Sequence, residues 1–429
     1  TTRVRIYPAE ANSTTATSGS IYIQDAQLEQ GLAATSVITT GAGTVQAGLL
    51  ENTPRLDYSG GSTCPYLLLE PSRTNLASSE YFEQFWSTSS GGTRVYNQIT
   101  SPEGVQNGTK IYPTQTGSFK GLSKAFGSSL SSTPYALSIF AKAGEFEHLY
   151  FYNVGSPDGN NGVWFNLTTG SVGTNQAAWT SAKMEDFGNG WYRCSAVITP
   201  GGSSDNLYIF LADSNGSVTA TTNGTDGLYI YGAQLEQGSY PTSYIPNHSG
   251  GSVTRGGDNC FTNNNSLLEQ TSATYFLETT PIGILSNNLI EVRGNGSTSN
   301  RVVLQTNANG SIRVLVRTQG SSILDQNVAS AVSQNTKVKV ALKYTPSNIS
   351  FFVDGVKKID TDLSVDFSPE LNGLDLEGSV TANDDALKQH QFLFFPEALS
   401  DTDCEILTGA TTYETFEEMA LALNYTVYE

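Results

Sequence analysis

The sequence predicts an all-β protein of tandem β-sandwich modules with short helices at its C-terminus. Three observations carry that prediction. Short apolar runs rich in Tyr, Phe, Val and Ile recur along the whole chain, separated by Gly, Ser, Thr and Asn turns, which is the pattern of pleated, half-buried surfaces. Charged residues make up only 14% of the 429 residues while aromatics reach 10%, with 21 Tyr, a composition suited to many polar turns around aromatic cores. Finally, the hexapeptide AQLEQG occurs twice, at residues 26–31 and 233–238, flanked both times by apolar strands, so a module boundary is repeated.

The first copy of the hexapeptide has only 25 residues before it, whereas the second follows more than a hundred residues of β pattern. Residues 1–48 therefore read as the last strands of a jelly roll whose beginning lies upstream, and the chain as the C-terminal part of a longer polypeptide. Residues 49–74 read as a linker hairpin, with Leu56–Tyr58 and Tyr66–Leu69 as its arms around Gly60-Gly61. The central jelly roll covers 75–250. Its strands include Tyr135–Ala143, His148–Val154, Gly162–Leu167, Trp191–Thr199 and Asn206–Ala212, where alternation and Asn/Gly/Asp turns are plain.

A second sandwich covers 257–429. Residues 337–360 read as two hairpins in series, turned at Pro346-Ser347-Asn348 and at Asp354-Gly355, the latter a type I′ signal. The tail then changes period. Ser400-Asp401-Thr402-Asp403 is a helix-capping cluster, and Phe416, Met419, Ala420 and Leu423 have helical spacing, so this helix packs on the sandwich or on a neighbouring subunit.

The formal net charge is −18, and the 22 basic residues form no basic stripe in the sequence, which argues against a nucleic-acid partner. No run of about 18 apolar residues is present to span a bilayer. Cys64, Cys194, Cys260 and Cys404 are widely spaced with no metal-ligand pattern, so buried free thiols are expected. His148, His248 and His390 stand apart, without the HExxH spacing, and neither GxSxG nor a Walker motif is present. No segment concentrates acids beside aromatics as a glycosidase cleft would. The reading is non-enzymatic.

Four segments occur in order: RLDY…LLLEPSRTNL from Arg55, FGNGWYRCS from Phe187, YGAQLEQGSYPTSYIPN…VTRGGD from Tyr231, and FFPEALSDTDCEIL from Phe394. In this order they resemble modular bacteriophage virion proteins, the tail-fibre, head-fibre and receptor-binding proteins. The resemblance runs from about Ile21 to the C-terminus. It implies a carbohydrate-binding-like jelly roll followed by a concanavalin-like (laminin-G-like) lectin sandwich. It further implies a virion fibre or appendage, assembled in the host cytoplasm and exposed outside the cell. Its expected partners are host-surface glycans, other virion proteins and further copies of itself, with a trimer favoured. The alternatives are a purely architectural, capsid- or tail-decorating role, and the carbohydrate-binding region of a secreted polysaccharide-degrading enzyme.

Sugar-binding jelly rolls present aromatic faces to sugar rings. The candidates are Tyr150, Tyr152, Trp164 and Trp179; Tyr150 and Tyr152, two apart, share one strand face. The competing reading is that they fill the core or an oligomer interface. Trp191, after the Gly188/Gly190 turn, reads as a structural plug. No cofactor is expected beyond a structural calcium, for which the oxygen-rich turns at Ser156–Gly162 and Asn223–Gly227 offer Asp158, Asn160 and Asp226. Asp360, Asp362 and Asp366 read as a solvated strand edge that blocks edge-to-edge pairing. In the hexapeptide itself, Leu235 is expected to anchor a structural knuckle held by Gln234, Glu236 and Gln237, with Pro241 and Pro246 stiffening the exit.

Overall fold

The computed structural model describes residues 55–58, 65–78, 82, 86–127, 130–154, 162–201, 205–247, 251–283, 287–294, 297–368, 370–376, 386–409, 411 and 415–423. The expectations placed on residues 1–48, Cys64, Asp158, Asn160 and His248 lie outside them. The described residues are almost entirely antiparallel strands with two short helices, the all-β tandem sandwich of the prediction.

The jelly roll consists of two six-stranded sheets. Sheet I runs in the order 171–175, 162–166, 148–154, 205–212, 121–127, 87–89. Sheet II runs 179–186, 191–198, 135–142, 228–237, 108–113, 92–99. Side chains alternate across each strand, so Leu149, Phe151, Phe165 and Ile209 of sheet I meet Leu137, Ile139, Cys194 and Leu235 of sheet II in one buried core. Cys194 is fully enclosed, and burial pushes its thiol pKa far up. Cys404 is likewise buried and its thiol is pushed up to about 12, whereas Cys260 is half-exposed; none of the three is in a disulfide.

The C-terminal sandwich pairs a seven-stranded sheet III with a six-stranded sheet IV. Sheet III runs 56–57, 66–69, 387–395, 273–281, 338–345, 348–353, 356–362. Sheet IV runs 261–262, 373–375, 287–294, 297–306, 312–318, 321–328. Tyr275, Leu342 and Phe351 face Val292, Val302 and Val314 across the core. The serial hairpins form as read, with Asp354 (φ 46°) and Gly355 (φ 79°) both left-handed as a type I′ turn requires. The strand Val356–Asp362 is the edge of sheet III; Asp360 there pairs with Lys357 at 2.7 Å. Helix Asp401–Thr408 starts at Ser400, whose hydroxyl accepts from Asp403 N at 3.1 Å, and helix Phe416–Ala422 starts at Thr415. Leu407, Met419 and Leu423 cover Phe276, Ala341 and Phe352, so the helices close the outer side of sheet III.

The hairpin read as a linker is built into this sandwich. Leu56–Asp57 pairs with Tyr66–Leu67, and Leu67–Leu69 pairs with Leu387–Gln389, so the hairpin forms the margin of sheet III. An exposed sheet edge seeks a partner strand, and these four apolar and aromatic residues supply one.

The hexapeptide is no turn. Residues 228–237 form one strand, bulged between Tyr231 and Gln234, and its second half pairs with 135–138. Gly232 makes the bulge at φ 63°, where a Cβ would lie 2.8 Å from the Phe140 ring. Gln234 and Glu236 are completely buried on the side opposite Leu235. Gln234 Oε1 accepts from Ile245 N at 2.7 Å, while its Nε2 donates to Glu236 Oε1 at 2.6 Å. Glu236 accepts from Thr242 N and Thr242 Oγ1, both at 2.7 Å. Asn75 Oδ1 accepts from Leu235 N at 3.1 Å and its Nδ2 donates to Ile245 O at 2.9 Å. Beyond them, Glu70 accepts from Ser243 N at 2.7 Å and pairs with Arg55 and Arg255, while Tyr240 Oη accepts from Ala386 N at 2.6 Å. The copy of the hexapeptide at 233–238 thus lies in a joint that ties the returning chain to its own sheet and, through Glu70 and Tyr240, to the second sandwich.

Candidate functional site

The outward face of sheet I carries the aromatic cluster that the sequence pointed to, in altered membership. Cross-strand pairing sets Tyr150 between Trp164 and Phe210, and in the next row Tyr152 between Gly162 and Tyr208. The Tyr150 and Trp164 rings stack at 4.9 Å and 12°, and Tyr208 stacks on Phe210 at 5.0 Å. Phe119 leans on Tyr152 at 5.4 Å and on Phe210 at 5.8 Å. Such offset aromatic contacts add about 0.5–1.5 kcal/mol each beyond their area.

The four candidates do not make one platform. Trp179 lies on the inner side of sheet II, against Phe151 at 5.9 Å, and belongs to the sandwich core. Tyr150 and Trp164 are on the outward face yet fully covered, because residues 213–220 fold over them. Trp164 Nε1 donates to Ser217 O at 2.7 Å, Val218 O accepts from Phe119 N at 2.9 Å, and Asn215 Oδ1 accepts from Thr174 N at 2.6 Å. Tyr152, Tyr208 and Phe119 remain half-exposed. Only the second aromatic row is therefore open to a ligand, with the first as its rigid support. Tyr208, Phe210 and Phe119 were missed from sequence. Tyr208 and Phe210 carry the same i, i+2 signal as Tyr150 and Tyr152, but recognising them requires knowing that strands 148–154 and 205–212 are neighbours.

The chemistry of this face suits a neutral, ring-shaped ligand with hydroxyls. Burial raises the Tyr150 and Tyr152 phenol pKa values, with the neighbouring phenols adding to the effect, so both remain protonated donors at neutral pH. Tyr150 Oη is buried with no hydrogen-bond partner. His148, next along the same strand face, has its pKa lowered by burial and is neutral at pH 7.

Trp191, the first residue of its strand and opposite Lys142 at the end of the next, packs on the outward face of sheet II with Phe140 and Tyr231; its Nε1 donates to Thr100 O at 3.1 Å. In the turn offered for calcium, which holds Asp226, Asn223 Oδ1 accepts from Thr225 N at 3.0 Å and Asp226 N at 3.2 Å. Among the described residues no group of three or more His, Cys, Asp or Glu is placed to hold a metal, and no helix is long and apolar enough to cross a membrane.

No protein-family model matches the chain, and neither does any curated protein. Among solved structures, the chain is similar to the CBM40 of a Ruminococcus gnavus IT-sialidase bound to α2,3-sialyllactose: 16% identity, covering 34% of this chain and 86% of that one, at a TM-score of 0.29. A leech intramolecular trans-sialidase matches at 18% identity over 34% of this chain and 24% of its own, with a TM-score of 0.28. The galectin LEC-6 of Caenorhabditis elegans matches at 15% identity over 32% and 90%, with a TM-score of 0.25.

Proposed function

We propose that this chain is a non-enzymatic adsorption protein of a bacteriophage virion, a fibre or appendage whose two sandwiches meet cell-surface glycans. The observation that carries the reading is the half-exposed Tyr152–Tyr208 row seated on the buried Tyr150–Trp164–Phe210 layer. A sugar ring can lie on Tyr152 and Tyr208 while their phenols exchange hydrogen bonds with its hydroxyls. Support comes also from the order of the four motif segments, and from the joint, which holds the two modules to each other through Tyr240, Glu70 and Arg255. Individual sugar contacts of this kind are weak. Several copies of the chain, in a homotrimer and in many fibres, would multiply them into useful avidity.

Binding of the whole chain to a panel of host-surface and purified glycans tests the reading. Tyr152→Ala and Tyr208→Ala are each expected to weaken binding about tenfold or more while the chain stays folded, with a melting temperature lowered by the lost ring contacts of about 0.5–1.5 kcal/mol each. Retained affinity in both variants would remove the site. The burial of Tyr150 and Trp164 favours a second reading, in which the face only braces the module and the chain decorates the virion; a folded chain that binds no glycan and no cell would establish it.

A further inference from the structure

On the outward side of sheet IV, three arginines stand in one cross-strand row. Arg293 is directly opposite Arg301, and Arg301 is directly opposite Arg317. Their strand neighbours Val292, Val302 and Val316 point into the core, so the three guanidinium groups lie on the outer face. With strands about 4.8 Å apart, the row spans about 10 Å. It ends at Gly373 on one side and Ser322 on the other. Like charges directly opposite one another destabilise a sheet, and in a chain of net charge −18 the concentration is out of character. Four of the chain's eleven arginines lie on this face, and between 256 and 336 they are the only basic residues.

Internal partners do not use them up. Among the described residues Arg317 has no carboxylate partner; it donates a hydrogen bond to Gly320 O at 2.7 Å. Arg301 reaches Glu291 at 3.4 Å, and Arg293 reaches Asp375 at 3.9 Å, both beyond ideal length. A guanidinium has five donors, so most of this capacity is unspent. The fourth arginine, Arg313, behaves otherwise: it is locked in a two-point pair with Asp325 at 2.7 Å through each contact. On the same face, Val303 and Leu315 are buried. A planar fork matches carboxylate and sulfate oxygens in a way that an ammonium does not, and lysine is absent from this face.

We propose that the Arg293–Arg301–Arg317 row is a binding site for an anionic polysaccharide, whose carboxylate or sulfate groups recur at spacings the row can follow. This rests on the glycan-adsorption reading and assigns the second sandwich its own ligand class. The neutral aromatic row of sheet I and the cationic row of sheet IV then read different parts of one acidic surface polymer.

The test uses the whole chain against three probes: polygalacturonate for carboxylate, dextran sulfate for sulfate, and unsubstituted dextran. The expected result is binding to at least one anionic probe that weakens with salt and falls about tenfold or more in Arg317→Gln and again in Arg301→Gln/Arg317→Gln. Arg317→Lys keeps the charge and loses the fork, and is expected to fall almost as far. Lys183→Gln, an equal charge change on the jelly roll, is expected to bind as the parent does, and melting temperatures confirm that each variant is folded. Whichever anionic probe responds identifies the group recognised. Anionic binding indifferent to the arginine variants overturns the proposal, as does binding confined to neutral glycans, which would leave the adsorption reading standing. Absence of binding to every probe and to the glycan panel overturns both.

Discussion

Two carboxyl groups in the same jelly roll are equally buried and opposite in their surroundings. Glu236, in the joint, is 0% exposed and each of its oxygens has a donor: Thr242 N and Gln234 Nε2 on one, Thr242 Oγ1 on the other. Asp205, at the start of a sheet I strand, is also 0% exposed, and neither of its oxygens has a hydrogen-bond partner. Near it, Asn153 faces the same side of the sheet from the adjacent strand, opposite Leu207, with both amide atoms unpartnered. Burying a polar group without a partner is costly, while a closed network of the same groups fixes one conformation. The difference separates a part of the molecule whose polar residues specify the fold from a part where they oppose it.

The largest effect is expected at Glu236. Glu236→Ala strands the buried donors Thr242 N and Thr242 Oγ1, each costing about 1–3 kcal/mol when left unmade, and leaves Gln234 Nε2 only its 3.4 Å bonds to Thr242 O and Ser243 O, so a loss of about 4 kcal/mol is expected in urea unfolding. Glu236→Gln should lose less than the alanine variant but still destabilise, because its amide nitrogen must face a donor. A change below about 1 kcal/mol in the alanine variant would show that the joint does not depend on this network.

Asp205→Asn should act in the opposite direction. The substitution keeps the shape and replaces a buried carboxyl without a hydrogen-bond partner among the described residues by an amide, which is less costly to bury, so a gain of about 1 kcal/mol is expected. A loss instead would mean that something outside the chain, such as a bound cation, satisfies the carboxyl, and adding a chelator to the parent protein would then reproduce that loss. Both experiments use the same unfolding curve, so they read the comparison directly.

How much of this was legible follows from which interactions are local. Strand boundaries in the jelly roll were readable to within one residue for His148–Val154 and Trp191–Ile198, because alternation and turn residues are local signals. The Asp354-Gly355 turn and the Ser400 cap were readable for the same reason. The buried state of Leu235 was legible from its place in an apolar repeat, but the strand character of the hexapeptide was not: its polar residues imitate a turn, and only the returning segment 242–245, which consumes their hydrogen bonds, explains them. Nor could alternation reveal the cover over Tyr150 and Trp164, since residues 213–220 carry no periodic apolar pattern that would set them on a sheet face. The docking of Tyr66–Leu69 onto a strand more than three hundred residues later is likewise a non-local choice. The arginine row escaped because each arginine is unremarkable in its own strand and the row exists only in the register.

The smallest effect concerns that docked hairpin. His390, on the strand that receives it, packs against the Tyr66 ring at 3.9 Å and shares a 2.8 Å hydrogen bond with Thr280 Oγ1. Burial is the main cause that lowers its pKa below the usual value, with Lys337 and Lys388 acting in the same direction and Glu278 and Asp57 opposing them. A histidine held neutral in the folded state stabilises it above the unfolded pKa of about 6.5, and that stability is lost as pH falls below it, since the unfolded chain then binds the proton more readily. His148, lowered by burial in sheet I, contributes with the same sign. The melting temperature is therefore expected to fall between pH 7 and pH 5, and His390→Gln should remove the share of that fall belonging to the hairpin while leaving the share belonging to His148. An identical pH dependence in the variant would place the whole effect in the jelly roll and leave the hairpin indifferent to protonation.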